Sequence, residues 1–140
     1  MQGTKDYGIH YVVDSPIDIV GYIDSNWVGD SSDQKSTYGY VFMIGSCPIC
    51  FLSKKHSSIA QSSTEVEYRG VVNATMQSIW LQGIMSEFGI LSSALVFIFY
   101  DNRSAIKISI GPIHRKRTKH IEIHMHYIIG LVHAHIISLQ

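Results

Sequence analysis

The chain is poor in cysteine, proline and charge: 140 residues include two cysteines and three prolines, and only 16% are charged. Two cysteines are too few for the disulfide framework of a small secreted domain, so both are expected to be thiols. Eleven basic and eleven acidic residues leave no formal net charge. Any contact with a polyanion must therefore come from a local patch, not from the field of the whole molecule. No apolar run approaches the length of a membrane span. The start, Met1-Gln2-Gly3-Thr4-Lys5-Asp6, also lacks the basic-then-apolar pattern of a signal peptide, and the expectation is an intracellular, reducing setting. What the chain has in quantity is hydrophobic residues, at 46%. That excludes a disordered tail and, at this length, allows one domain with a substantial core.

The pattern changes period along the chain. Tyr7 to Val13 alternates weakly and is read as an edge strand, with a turn at Asp14-Ser15-Pro16. Three stronger strands follow: Ile19 to Trp27, Thr37 to Ile44, and Ile49 to Ser53, the last two joined through Gly45-Ser46-Cys47-Pro48. These should form an antiparallel meander. Ser62-Ser63-Thr64-Glu65 then matches a capping box, with Ser62 as N-cap. Apolar residues recur at Tyr68, Val72, Met76, Ile79 or Trp80, Ile84 and Phe88, ending at Gly89, which predicts a helix of about seven turns with those positions in the core. Leu95 to Asp101 reads as a strand and Asp101 to Gly111 holds a shorter helix; another helix runs from about Lys119 to His133, and Ile136 to Gln140 begins a last strand. Strands first, then a strand between helices, predicts an α/β mixed sheet with helices on its faces.

Three acids sit where acids are uncommon. Asp24 lies within Ile19-Val20-Gly21-Tyr22-Ile23-Asp24-Ser25-Asn26-Trp27, Asp101 closes Leu95-Val96-Phe97-Ile98-Phe99-Tyr100-Asp101, and Glu67 falls in the first turns of the long helix. Carboxylates in buried strands cost stability unless something offsets them, and a divalent cation is the commonest offset. If the two strands are neighbours and the helix packs across them, the three acids converge on a metal site.

Six blocks carry a family resemblance: Gly21-Tyr22-Ile23-Asp24-Ser25-Asn26-Trp27-Val28-Gly29-Asp30, Lys35-Ser36-Thr37-Tyr38-Gly39-Tyr40, Ser53-Lys54-Lys55, Ser62-Ser63-Thr64-Glu65-Val66-Glu67-Tyr68, Tyr100-Asp101-Asn102-Arg103-Ser104-Ala105 and Arg117-Thr118-Lys119-His120-Ile121. In this order and spacing the chain resembles the ribonuclease H domain of the Pol polyprotein of copia-type LTR retrotransposons. The resemblance implies a ribonuclease H-like fold over residues 19–140, preceded in residues 1–18 by a connection from the reverse transcriptase region of the same polyprotein. It also implies Asp24, Glu67 and Asp101 as catalytic ligands of paired Mg²⁺, with Mn²⁺ as a substitute, hydrolysing the RNA strand of an RNA:DNA hybrid during reverse transcription. Glu65 then keeps the capping role. No nucleophilic side chain and no small-molecule cofactor is implied, and the expected setting is a cytoplasmic virus-like particle.

The family pattern has a fourth carboxylate, on a helix after the last strand, whereas Gln140 stands where that strand begins. On this reading the chain is a C-terminally truncated copy, with an uncovered apolar face and an unpaired edge. Glu122 is read as structural. Further departures are His124 and His126, the Gly130-Leu131-Val132 run, and Phe51 where relatives carry tryptophan.

The other motifs have plainer readings. Cys47-Pro48-Ile49-Cys50 spells C-x-x-C, but no second pair accompanies it and no helix opens at its first cysteine. Six of eight histidines lie between His114 and His135, and His120 with His124 would share a helix face, enough for adventitious zinc or nickel. Arg115, Lys116, Arg117 and Lys119 form the one concentrated positive run, the candidate for contact with a nucleic-acid backbone. Two function classes stand at this point: a metal-dependent hybrid endoribonuclease, or a catalytically inactive remnant that keeps the fold with at most weak nucleic-acid binding.

Overall fold

The computed structural model describes residues 6–12, 17–26, 36–55, 63–90, 95–101 and 119–140. Within them the strands are β1 (Ile19–Asn26), β2 (Thr37–Ile44), β3 (Cys47–Lys55), β4 (Val96–Tyr100) and β5 (Ile137–Leu139), and the helices are α1 (Ser63–Glu87) and α2 (Lys119–His133). One five-stranded sheet results, in the order β3-β2-β1-β4-β5. The first three strands are antiparallel; β4 joins β1 in parallel after the α1 crossover, and β5 joins β4 in parallel after α2. The expected mixed sheet is therefore present. The turn at Asp14-Ser15-Pro16, the N-cap Ser62, the short helix after Asp101, and most of the basic run lie outside the described residues.

Alternation divides the sheet into two unlike faces. Ile19, Ile23, Phe42, Val96, Ile98, Tyr100, Ile137 and Leu139 are buried and join one core with residues of α1 and with Ile128 and Leu131 of α2. The opposite face presents Tyr22 and Phe99, which are register partners in β1 and β4 and stack with centroids 5.4 Å apart. Both rings are exposed, and so is Phe51 of β3. Helices thus cover one side of the sheet.

The core face is tightest at Gly21. A Cβ there would meet Phe42 Cε1 at 2.6 Å, and Phe42 is fully buried. Glycine at this position therefore makes room for the ring of its own register partner.

Helix α1 has the expected length, and its expected core positions divide. Tyr68 is buried and Val72 and Ile79 pack against the core, so of the pair Ile79 or Trp80 the first faces inward; Met76, Trp80 and Phe88 are 50%, 59% and 77% exposed, and Val66, Val71, Ala74, Thr75, Ser78, Leu81 and Met85 are buried as well. The physical reason is size. Gly70, Ala74 and Ser78, four residues apart, form a buried row of small residues, and Gly70 lies against Ile23, Tyr38 and Ser25 of the sheet, so Met76 and Trp80 fall on the far side of the helix. A Cβ at Gly70 would already lie 3.6 Å from Ile23 Cγ2 and 3.8 Å from Ser25 Cβ. Ser78 donates to the Thr75 carbonyl at 2.7 Å, while Thr75 Oγ1 has no hydrogen-bond partner among the described residues.

Both helices end in the same hydrogen-bonded device. Gly89, at φ 70°, donates to Ser86 at 3.0 Å and Ile90 to Met85 at 2.9 Å; His135, at φ 53°, donates to Val132 at 3.1 Å and Ile136 to Leu131 at 3.0 Å. These paired bonds are Schellman caps, which require a left-handed residue. The first uses the preferred glycine and the second holds a histidine there.

The segment expected as an edge strand forms none over residues 6–12. Its apolar residues Tyr7, Ile9, Tyr11 and Val12 are exposed, so it has no buried face to stabilise a strand. It is tied instead to the start of β3: the Cys47 thiol donates to the His10 carbonyl at 2.9 Å and the Tyr11 hydroxyl to the Pro48 carbonyl at 3.2 Å. Cys47 and Cys50 are both free thiols. No helix among the described residues is long and apolar enough to cross a membrane.

Burial raises the phenol pKa of Tyr38 and of Tyr40 above the ordinary value, with Cys50 and Tyr38 adding a smaller charge effect at Tyr40. The folded state holds these protons to higher pH than the unfolded chain does. Their contribution to stability is thus complete below the unfolded value of about 10 and is lost as pH rises through the folded values.

Three measurements check this account. Gly21→Ala should cost about 1–3 kcal/mol in urea unfolding, and pairing it with Phe42→Leu should cost less than the sum of the two; additive losses would show that the ring is not what fills the space. His135→Gly should raise stability by about 0.5–1 kcal/mol, because relief of left-handed strain exceeds the added chain entropy. The urea midpoint should fall as pH rises above about 10, and Tyr38→Phe should flatten that fall; an unchanged slope would assign the alkaline loss elsewhere.

Candidate active site

The parallel register between β1 and β4 builds the candidate site. Its last pair is Ile23 with Tyr100, so the next residue along each strand is an aspartate, Asp24 and Asp101. The two acids stand at the C-terminal ends of strands about 4.8 Å apart by ordinary sheet spacing. Asp24 remains in β1, paired with Gly39 of β2, and Asp101 occupies a bend just past β4.

Both aspartates are exposed. This corrects the expectation of buried carboxylates needing an offset: Asp24 alternates onto the open face with Tyr22, and Asp101 has left the strand. Solvent keeps each acid inexpensive on its own.

Helix α1 supplies the third element. Gly70 sits against Ile23 and Ser25, the neighbours of Asp24 that face the helix, and Glu67 lies three residues earlier, one turn toward the helix N-terminus. The Glu67 side chain is outside the described residues, as are Arg115, Lys116, Arg117 and the Lys119 side chain. Among the described residues no group of three or more His, Cys, Asp or Glu side chains could hold a metal ion. The backbone thus brings two of the expected acids side by side and carries the third on the helix that crosses beside them.

Two hydroxyls complete the surroundings. Ser25 Oγ and Tyr100 Oη are 2.7 Å apart, a hydrogen bond in which either group can donate. Ser25 directly follows Asp24 and Tyr100 directly precedes Asp101. No motif singles out this pair; the available signal is a hydroxyl-bearing residue beside the acid in each of two matching strand ends. Tyr40 on β2 reaches toward α1 from the same face, its hydroxyl 3.4 Å from Gln77 Oε1.

The two exposed carboxylates are oxygen donors, the ligand type that hard divalent cations take.

No family model matches the chain. Its sequence is 36% identical over 134 residues, 96% of its length, to the retrovirus-related Pol polyprotein from transposon RE2 of Arabidopsis thaliana. It spans 9% of that relative. Among solved structures, LC11-RNase H1, determined in complex with an RNA/DNA hybrid, superposes with a TM-score of 0.58 at 12% identity, covering 87% of this chain and 83% of the other. The protease-reverse transcriptase of prototype foamy virus matches with a TM-score of 0.59 at 16% identity, covering 92% of this chain and 18% of the viral one. At such identities the structural matches establish the fold, and the sequence match establishes kinship. Over nearly its whole length the chain is homologous to a segment of retrovirus-related Pol polyproteins, and its fold is ribonuclease H-like.

Proposed function

We propose that the chain is the ribonuclease H domain of a copia-type retrotransposon Pol polyprotein, cleaving the RNA strand of RNA:DNA hybrids. The observation that carries this reading is the β1–β4 register, which sets Asp24 and Asp101 side by side at the C-terminal edge of the sheet. Glu67, one turn from the helix contact at Gly70, is the third member.

In this proposal Asp24, Glu67 and Asp101 hold paired Mg²⁺, for which Mn²⁺ substitutes. The bound pair supplies a water activated for attack and charge neutralisation at the scissile phosphate. The side chains themselves orient and hold, contributing no nucleophile. The open edge admits a duplex as a rigid strand pair, and hybrid is told from DNA by the 2′-hydroxyls displayed in its shallow minor groove. Arg115, Lys116, Arg117 and Lys119 contact the phosphate backbone, giving salt-dependent affinity without sequence preference. The same reading makes residues 1–18 the connection from a reverse transcriptase region and residues 19–140 the nuclease domain, working in a cytoplasmic virus-like particle.

Labelled hybrid incubated with the purified chain and Mg²⁺ should give RNA fragments carrying 5′-phosphates, with duplex DNA left intact. Asp24→Asn should reduce that cleavage on the order of 100-fold or more. Cleavage that persists undiminished in Asp24→Asn would sink the two-metal reading. A folded wild-type chain that leaves hybrid uncut would instead favour the inactive remnant.

A further inference from the structure

The last rung that joins β1 to β4 is Ile23 with Tyr100; past it, the backbones that carry Asp24 and Asp101 are held by different neighbours. Asp24 is held from the β2 side, where pairing continues through Asn26 with Thr37. The end of β4 is held from the β5 side, where the Tyr100 amide donates to the Gln140 carbonyl at 2.8 Å. The ladder places the two backbones side by side, but no β1–β4 pairing continues past that rung to hold the carboxylates themselves, and the ends of ladders are where strands open most easily.

The Ser25–Tyr100 hydrogen bond spans that gap. It joins the residue after one aspartate to the residue before the other, at 2.7 Å, between a side chain that is 5% exposed and one that is half-buried. Partial exclusion of water strengthens such a bond relative to one at the surface. Gly70 of α1 packs on Ser25 from above, so the bond also lies under the helix that carries Glu67 one turn away. The three elements that bear the acids meet at this one pair of hydroxyls.

We infer that Ser25 and Tyr100 are positioning residues, which fix the spacing of Asp24 and Asp101 for divalent cations without touching the cation themselves. The inference rests on the proposed metal-binding role of those acids. Its chemistry is simple: a carboxylate pair set at one spacing binds a small cation with less ordering cost than a pair free to splay.

Titration of the metal-free chain with Mn²⁺, followed by calorimetry, tests it alongside thermal unfolding in a chelator. Tyr100→Phe keeps the buried ring and removes the bond; Ser25→Ala removes it from the other side. Each should weaken Mn²⁺ binding about three- to tenfold, the worth of one hydrogen bond, and the double variant should be no weaker than the singles. A purely structural bond would lower the unfolding temperature in chelator and leave the affinity of the folded chain unchanged, which overturns the inference. Additive losses in the double variant overturn it as well. Absence of Mn²⁺ binding by the folded wild-type chain removes the underlying metal reading, a result distinct from wild-type binding that the variants share.

Discussion

The parallel pairing of β1 with β4 is the constraint on which the arrangement depends. It joins an antiparallel meander to a half of the molecule that needs helical crossovers. Its register is held from both sides of the sheet. On the helix side Ile23, Ile98 and Tyr100 are buried in the core, and on the open side Tyr22 stacks on Phe99. A slip of one residue would exchange these faces, sending aromatic rings into the core and Ile98 into water. The juxtaposition of Asp24 with Asp101 is a by-product of that packing. Apolar contacts of the residues one to three positions before them thus determine where two charged groups stand.

Small residues are the second determinant, and they explain both what was legible in the sequence and what was not. The meander, the long helix, α2 and the last strand could be read because β-branched and aromatic runs, a glycine turn and a glycine stop are local signals. Thr37 to Ile44 and Lys119 to His133 are observed at the expected bounds. The phase of α1 was legible only in part: Tyr68, Val72 and Ile79 face the core, whereas Met76 and Phe88 do not. Tracking large apolar residues picks out Met76 and Trp80, but what decides helix packing on a sheet is how closely the backbones approach, and Gly70, Ala74 and Ser78 decide that here. The weak strand expected over Tyr7 to Val13 fails for a related reason: alternation predicts a strand only when one face has a core to enter.

The acids show the same division. The family resemblance implied Asp24 and Asp101 as partners in one site on the condition that their strands are neighbours, and the register makes them so. Their supposed burial did not hold, because an acid within an apolar run still alternates outward and one at its end can leave the sheet altogether. Neither aspartate is an expensive buried charge; what sets the two apart is their place just past the last rung between two paired strands. Ser25 and Tyr100 stayed invisible since their significance arises only when two distant strand ends are laid together.

The unlike faces of the sheet bear on how a site here must work. Asp24 lies on the open face beside Tyr22, whereas Glu67 belongs to the helix on the other face. Carboxylates from the two sides can share a cation only at the rim, past the last β1–β4 rung, where no strand separates them. Open sheets with parallel strands bind ligands at that same C-terminal rim, because chain ends and crossovers leave a crevice there. A rim site suits a long, stiff substrate, which can lie across the edge without entering a pocket. It also makes the geometry of the rim sensitive to how the strand ends are joined, and this is why a single hydrogen bond between neighbours of the acids can matter as much as the acids' own surroundings.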